Sequence, residues 1–353
     1  MKNQNHTYGE IITQTVSWEK IYRDVVEKKF DLDLNIFSYD FDEIIFFGCG
    51  SSFNLSQSAL FFTKFLVNGK NCSALPSSEL LFNTNIYINK NKKYLIIGFS
   101  RSGETTETIN VLKQLMDKNN ITSLIFSCKD NATIERFSDN YFICRGIVEK
   151  SIVMTVSFSS MLFAYCILLT KFLENKKMLE EYNILINFIE RNISKLFDNI
   201  ENYVNANNFK SYFVLGYGFN YGLAVEADLK MKEMSQTPSY SYHLYEFSHG
   251  PKALLNRDSL CLVLTLGKSL AEHEKIIKEI TDLGSKVLVV GKKAFKNVGD
   301  RNIEYLLHDS NFEFDIVESF INIPVFQVLA YFKTLNKKLN PDVPNNLNYT
   351  VKI

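Results

Sequence analysis

Tyr94-Leu95-Ile96-Ile97-Gly98-Phe99-Ser100-Arg101-Ser102-Gly103-Glu104-Thr105-Thr106-Glu107-Thr108 is the stretch on which the reading of this chain turns. Its first four residues are an apolar run, and beyond it Ile109, Leu112, Leu115 and Met116 recur on one helical face. Together they predict strand, polar turn and helix. The turn sets Ser100, Ser102, Thr105 and Thr106 around a conformationally free Gly103. Hydroxyls and backbone N–H groups then converge on a helix N-terminus, where the peptide dipoles favour an anion such as phosphate. Ser and Thr are also ordinary N-cap residues, so a single hydroxyl would carry no message; four within seven residues exceed what capping uses. Arg101 is the only fixed positive charge in the loop, which suits a small phosphate monoester better than a polyphosphate with its metal. The Gly-Lys-Ser/Thr of a Walker loop does not follow, and the G-x-G-x-x-G spacing of a dinucleotide fingerprint is absent.

The flanking sequence repeats the pattern. Glu43-Ile44-Ile45-Phe46-Phe47 reads as a strand leading to Gly48-Cys49-Gly50-Ser51-Ser52 and a helix with Leu55, Ala59, Leu60 and Phe62. Further strands are expected at 123–126 and 141–144. The order returns in the second half. Tyr212-Phe213-Val214-Leu215 leads to Gly216-Tyr217-Gly218, 260–264 precedes Gly267-Lys268-Ser269, and 286–290 answers 123–126. The offsets lie between about 163 and 168 residues, so the chain reads as two copies of one α/β domain, each a parallel sheet covered by helices on both faces. The second copy lacks the Ser-Gly-Glu-Thr cluster, which implies a different task for that half. An amphipathic helix or two is expected over 8–30, and the charged, helical stretch from Glu174 to Arg191 is the expected connector.

A length of 353 residues with 46% hydrophobic side chains supports two packed domains. The 39 basic and 39 acidic residues cancel, which argues against nucleic acid or an acidic membrane surface as partner, since both call for a basic excess. Abundant Phe and Tyr beside sparse Gly and Pro fit a coding bias rather than a function. The six cysteines form no C-x-x-C or Cys/His ligand spacing, and no metal or cofactor site is expected. The first residues contain no signal-peptide pattern, so the expected compartment is the cytoplasm. Ser151 to Thr170 has no charged residue and nearly the length of a membrane span, but its hydroxyls and lack of a companion span favour a helix buried between domains or subunits.

Two stretches of the second half carry candidate chemistry. Glu226, Lys230 and Glu233 fall on one face of a helix expected over 221–235; the same spacing also fits a solvated ion-pair ladder. Tyr245-Glu246-Phe247-Ser248-His249-Gly250-Pro251 puts a histidine in a constrained turn, which is equally the place of a surface-loop histidine.

These segments together resemble the double sugar-isomerase (SIS) domain family, best known as the isomerase half of glucosamine-6-phosphate synthase. The motifs are Gly-Cys-Gly-Ser-Ser at 48–52, Ser-Arg-Ser-Gly-Glu-Thr at 100–105, Glu-Ala-Asp-Leu-Lys-Met-Lys-Glu at 226–233 and Glu-Phe-Ser-His-Gly-Pro at 246–251, in the family's order. Glu149-Lys150-Ser151 through Thr155 is similar to its substrate loop, and Asn340 to Leu347 to its C-terminal tail. The resemblance implies tandem three-layer, flavodoxin-like α/β/α domains. Their expected bounds are a helical segment over 1–30, a phosphosugar-binding domain over 31–173, a connector over 174–195, a catalytic domain over 196–335, and a tail over 336–353 covering the active site.

The resemblance also implies chemistry on an open-chain sugar 6-phosphate. Gly50, Ser51, Ser52, Ser100, Arg101, Ser102 and Thr105 map to phosphate binding, with Arg101 standing where a Gln is common. Glu233 maps to the base that moves a proton between C1 and C2. Lys230 maps to the charge that stabilises the enediol oxygen, and His249 to a ring-opening residue contributed by the neighbouring subunit of a homodimer. Such chemistry needs a positioned base and a fixed positive charge, with the phosphate held remotely to orient the reacting carbons. The sequence departs from the synthase in two respects. It holds no glutaminase segment and no N-terminal Cys, so the complete glutamine-using synthase is not expected. Leu347-Asn348 is followed by Tyr349 where the synthase tail has a Lys, and Lys352 is out of register. The departures favour a glucosamine-6-phosphate deaminase or a fructosamine-6-phosphate deglycase, with a plain aldose–ketose isomerase or a non-catalytic phosphosugar sensor as alternatives.

Overall fold

The computed structural model describes residues 5–38, 40–265, 270–292, 302–308 and 312–349. The chain begins with helices α1 (His6–Ile12) and α2 (Gln14–Val26). Then come β1 (Glu43–Gly48), α3 (Ser51–Leu66), β2 (Asn71–Pro76), α4 (Ser77–Phe82), β3 (Tyr94–Ser100), α5 (Thr106–Leu115), β4 (Ile121–Ser127) and β5 (Asn140–Ile143). Helices α6 (Val156–Phe172) and α7 (Lys176–Ala206) follow. The second series is β6 (Ser211–Gly216), α8 (Phe219–Ser235), β7 (Ser239–His243), β8 (Ser259–Leu264), α9 (Leu270–Asp282), β9 (Lys286–Lys292), β10 (Ile303–His308) and α10 (Asn322–Asn336).

The chain divides into two compact units. An N-terminal unit holds Thr13–Asn183 and Asn348–Ile353, and a C-terminal unit holds Met1–Ile12 and Ile184–Leu347. Each contains one five-stranded sheet, in the orders β2-β1-β3-β4-β5 and β10-β9-β8-β6-β7. All pairings are parallel, and the second order read backwards is the first with each strand replaced by its counterpart. Two parallel five-stranded sheets flanked by helices are thus the tandem α/β architecture that the repeat predicts.

The N-terminal unit shows why its strands read as continuous apolar runs. Successive side chains leave opposite faces, and both faces are covered. Ile45, Phe47, Ile96 and Ile125 pack with Leu80 of α4 and Ile109, Leu112 and Leu115 of α5. Their neighbours Phe46, Phe99 and Phe126 meet the ring of Tyr165 on α6 from the other side. The charge-free run 151–170 therefore supplies a core helix of its own unit, packed on α2, α3 and β4, rather than a helix whose burial waits on another domain or subunit. Two of its polar groups are satisfied within the unit: Trp18 Nε1 donates to Ser159 Oγ at 3.1 Å, and Thr170 Oγ1 to the Cys166 carbonyl at 2.7 Å. In the C-terminal unit the run 315–336 has the length and mean hydropathy (1.2) of a membrane span, and 94% of that window is buried inside the fold.

In each sheet the strand order reverses beside the first strand, between β1 and β3 and between β6 and β8. Crevices at the carboxyl ends of such strands are where open α/β sheets bind ligands. The candidate phosphate residues follow β1 and β3. The expected counterpart loop Gly267-Lys268-Ser269 lies outside the described residues, as does Lys352.

Candidate active site

At the crest of the N-terminal sheet, β1 runs into α3 through Gly50, whose backbone (φ 54°, ψ −125°) lies in the left-handed half of conformational space that favours glycine. Ser51 and Ser52 open α3 and are buried. The neighbouring β3 ends at Ser100 and gives way to the loop before α5. The loop is knitted from its own hydroxyls. Gly103 N donates to Ser100 Oγ at 3.1 Å, and Glu104 N to Ser102 Oγ at 3.2 Å. A hydroxyl that accepts from an N–H keeps its own hydrogen to donate, so these contacts orient Ser100 and Ser102 without using their donor capacity. Thr105 occupies the N-cap position of α5, yet its side chain makes no capping bond. The reading of this hydroxyl as an ordinary cap does not hold.

The loop has a rigid backing. Gly103 has φ +64°, and a Cβ there would lie 2.4 Å from the Ala132 methyl. The Glu104 carboxylate accepts from Thr133 N (2.9 Å) and Thr133 Oγ1 (2.7 Å), fixing the loop to the segment after β4. Beside it lies a cavity of about 380 Å³ bordered by Ser102, Arg101, Glu149 and Tyr349. Gly50, Ser51, Ser52, Ser100 and Thr105 are not among its lining residues.

Arg101 does not stand open as an anion ligand. Its Nη1 donates to Glu149 Oε2 (2.8 Å), and its Nη2 to the carbonyls of Ile152 (3.0 Å) and Tyr349 (2.8 Å). Its side chain is 8% exposed and that of Glu149 2%. The Glu149 carboxylate also accepts from Thr155 N (2.7 Å) and Ser157 N (3.2 Å) at the start of α6. The pair thus neutralises itself and caps a helix. Phosphate binding by the guanidinium, expected from the motif, meets a group whose two terminal nitrogens are already engaged.

In the C-terminal unit, α8 packs between β6, β7 and α10, which carries its polar face indoors. Lys230 is wholly buried, with Nζ 3.3 Å from Glu226 Oε1 and in close contact with Glu233 Oε2. Glu226 is wholly buried too, whereas Glu233 keeps 20% of its side chain exposed. The solvated ladder that the spacing also permitted is therefore excluded. Burial by itself lowers the pKa of the Lys230 ammonium, but the carboxylates of Glu226 and Glu233 outweigh it and hold the pKa above its ordinary 10.5. The result is a fixed positive charge with one partly open carboxylate against it.

His249 ends a short 3₁₀ turn, Glu246–His249, and is exposed. Gly250 follows at φ +139°, which explains the glycine. The turn is tethered to α9 by Glu279, which accepts from Ser248 Oγ at 2.8 Å and pairs with Lys252. Lys252 first, and Ser248 second, hold the Glu279 carboxyl below its ordinary 4.5. Among the described residues His249 makes no hydrogen bond or ion pair with Glu233. Near its turn, Tyr217, Tyr245 and buried His273 form a cluster of rings 5.4–6.1 Å apart by centroid, and among the described residues neither ring nitrogen of His273 has a hydrogen-bond partner. Among the described residues no group of three His, Cys, Asp or Glu side chains is placed to hold a metal ion.

The comparison with known families decides the affiliation. The SIS domain pattern matches residues 39–171 and 207–326, one match on each sheet-bearing unit. The chain belongs to the SIS domain family. Its relatives include the glutamine–fructose-6-phosphate aminotransferase of Wigglesworthia glossinidia brevipalpis, 28% identical over 86% of this chain and 50% of that protein. The SIS chain spans about half the length of the curated relatives it matches. Among solved structures, the glucosamine-6-phosphate deaminase of Thermotoga maritima superposes with a TM-score of 0.78 at 25% identity, covering 99% of this chain and 100% of that one. The C-terminal domain of the Francisella tularensis glucosamine-fructose-6-phosphate aminotransferase superposes at 0.86 with 22% identity, covering 97% and 98%.

The motifs gave no role to three contributors to this SIS chain. Glu149 opens the segment similar to the substrate loop, but its tie to Arg101 follows from no spacing. Asn220 occupies the position equivalent to Ser52, and its Nδ2 donates to the Thr265 carbonyl at 2.9 Å while its Oδ1 accepts from Asn322 Nδ2 at 3.0 Å. The repeat offset alone could have found it. Asp342, inside the tail motif, accepts from His6 N, Thr7 N and Thr7 Oγ1 at 2.7–2.9 Å and caps α1.

Proposed function

We propose that this chain is a phosphosugar-isomerase-type enzyme that moves a proton between C1 and C2 of an amino or amine-bearing sugar 6-phosphate. The reading is a glucosamine-6-phosphate deaminase or a fructosamine-6-phosphate deglycase. The observation that carries it is the Glu226–Lys230–Glu233 triad, a buried cation held between two carboxylates of which only Glu233 meets solvent. A surface ladder would have no reason to bury the lysine, whereas a base beside a fixed charge in a low-dielectric setting is what proton abstraction next to a carbonyl requires.

In this reading the hydroxyls of Ser52, Ser100, Ser102 and Thr105, with the N-termini of α3 and α5, hold the ester phosphate. On an open-chain 2-amino aldose Glu233 takes the C2 proton and returns it at C1, and water hydrolyses the resulting C2 imine to ketose and ammonia; on a fructosamine the proton runs from C1 to C2, and water hydrolyses the C1 imine to aldose and free amine. Lys230 is covered by protein, so it stabilises the enediol oxygen through its field rather than by open contact. His249 is exposed and unpaired with Glu233, which supports its serving ring opening in the site of a second copy of a cytoplasmic homodimer. Neither the base nor the fixed charge calls for a metal. The similarity to the Thermotoga deaminase along nearly the whole chain supports the amino-sugar branch.

The test is a panel of sugar 6-phosphates assayed for isomerisation and for ammonia or amine release. Turnover with nitrogen release is expected, and Glu233→Gln should lower kcat by about 10²–10⁴-fold with phosphate-ester binding retained. Isomerisation without nitrogen release would select the plain isomerase. Binding without turnover in the wild type would select the sensor. Mixing Glu233→Gln with His249→Asn chains should restore part of the activity if the site is shared; no recovery would remove the shared site.

A further inference from the structure

Arg101 and Tyr349 are the positions at which two motifs of this sequence depart from the pattern they resemble, and they touch each other. The Arg101 guanidinium lies 3.8 Å from the centroid of the Tyr349 ring, while its Nη2 donates to the Tyr349 carbonyl at 2.8 Å. The Tyr349 hydroxyl in turn donates to the Glu149 carbonyl at 3.4 Å. The far side of the guanidinium is anchored: Nη1 binds Glu149 Oε2, and Nη2 binds the Ile152 carbonyl. The main chain of Arg101 is fixed as well, its carbonyl accepting from Cys128 N at 3.2 Å. One side chain therefore ties together the Ser100–Thr105 loop, the 149–155 segment and the C-terminal tail. All three border the same cavity of about 380 Å³, in which Ser102 and the Tyr349 ring are both wall residues.

We infer that Arg101 and Tyr349 form a clamp that docks the C-terminal tail on the hydroxyl loop, with Arg101 as a positioning residue and Tyr349 as a specificity-determining wall of the cavity beside Ser102. Two features separate this from ordinary tail packing. The guanidinium is buried and charge-balanced by Glu149 while the Tyr349 ring keeps 44% exposure, so a desolvated cation meets a half-open ring through both a cation–π contact and a hydrogen bond. The contact also lies next to a candidate phosphate residue in sequence, so undocking the tail removes a brace from the chain that presents Ser100 and Ser102. Substrate affinity and tail order then become two readings of one contact. The kinetic part of this inference rests on the proposed sugar-phosphate reading; the docking part does not.

Four full-length variants test it: Tyr349→Phe, Tyr349→Ala, Arg101→Gln and the Arg101→Gln/Tyr349→Ala double. Tyr349→Ala leaves the Arg101–Glu149 pair intact, so it reports on the clamp even if Arg101→Gln fails to fold. Hydrogen exchange of the C-terminal peptide containing Tyr349 should accelerate by about tenfold in the alanine and glutamine variants and stay near wild type in Tyr349→Phe. With the best sugar 6-phosphate of the panel, KM should rise by about tenfold in both single variants while kcat changes by less than about threefold, and the double should be no worse than the worse single. Unchanged exchange in Tyr349→Ala, or KM effects that multiply in the double, would overturn the clamp. If no sugar phosphate turns over, the proposed function falls, while the exchange measurement still decides the docking and titration with glucosamine 6-phosphate replaces KM.

Discussion

Gly48-Cys49-Gly50 and Gly216-Tyr217-Gly218 are almost the same piece of backbone with different contents. Gly50 has φ 54° and ψ −125°, Gly218 has φ 59° and ψ −131°, and each leads into the helix that follows the first strand of its sheet. The first glycine of each turn is equally crowded: a Cβ on Gly48 would lie 2.6 Å from the Ser52 carbonyl carbon, and one on Gly216 would lie 2.3 Å from the Asn220 oxygen. Beyond that the halves part. The N-terminal crest presents hydroxyls at Ser52, Ser100, Ser102 and Thr105. In the C-terminal crest the equivalent of Ser52 is Asn220, whose amide bridges Thr265 and Asn322. The charged groups of that unit sit instead along α8. A repeated fold keeps its backbone requirements because sterics enforce them, while the side chains at the same crest are free to differ, hydroxyls in one copy and a hydrogen-bonded amide strut in the other.

The triad of α8 is where this division of labour is most fragile. Lys230→Met strands two carboxylates, one of them fully buried, and should cost about 3–5 kcal/mol of stability by urea unfolding, with activity lost. Unfolding within 1 kcal/mol of wild type, taking ~1 kcal/mol as the size of a surface pair, would return the triad to a solvated ladder. Next in size is a contrast between glycines of the hydroxyl crest. Gly103→Ala drives a methyl into Ala132 and should cost about 1–3 kcal/mol for overpacking, besides about 1–2 kcal/mol for the left-handed backbone. Gly50→Ala meets open space and should show only the backbone cost. Equal losses in thermal unfolding would mean that the loop backing is not rigid. Smaller again is the exchange between equivalent positions. Asn220→Ala should lose about 1–3 kcal/mol by leaving its buried partners unpaired, with KM unchanged. Ser52→Ala should raise KM for a sugar 6-phosphate with little loss of stability. The same readout from both variants would erase the distinction between strut and binding surface.

The fold was legible because the buried strands of a covered parallel sheet are apolar throughout. β1, β3, β4, β6, β8 and β9 could be read from composition alone, and the repeat followed from their spacing. β2, β7 and β10 were not read: all three are edge strands, and β2 and β7 have partly exposed, serine-containing sequences (Asn71-Cys72-Ser73-Ala74-Leu75-Pro76 and Ser239-Tyr240-Ser241-Tyr242-His243) that carry no apolar run. The hydroxyl loop was legible as a loop because it is local: strand end, glycine and helix start lie within nine residues of Gly98. Spacing put Glu226, Lys230 and Glu233 on one face but could not say whether that face was wet. That depends on β6, β7 and α10, which pack against α8 from elsewhere in the chain. The partners of Arg101 were out of reach for the same reason. A guanidinium in a hydroxyl-rich turn suggests an anion, but its partner Glu149 lies 48 positions away and answers it first.

The subtlest contrast between the crests concerns protons. The N-terminal crest is built from hydroxyls that do not titrate near neutrality, while the C-terminal one buries His273 among Tyr217 and Tyr245 with both ring nitrogens unpartnered among the described residues. Burial pushes this imidazole below its ordinary 6.5, and the nearby Glu272 carboxylate offsets only part of that. As pH drops below 6.5, the unfolded chain takes up a proton here before the folded chain does. Folding stability contributed by the neutral ring is therefore complete above that pH and declines below it. The α9 helix that carries His273 also tethers the His249 turn through Glu279, so the first consequence of acidification should fall on that turn. His273→Phe keeps a ring of similar size and removes the proton site. Its stability measured by urea unfolding between about pH 7.5 and about pH 5 should fall less steeply with acid than that of wild type. Parallel slopes for the two proteins would mean that the ring is solvated when it titrates, and that acid acts on the C-terminal crest elsewhere than through this imidazole.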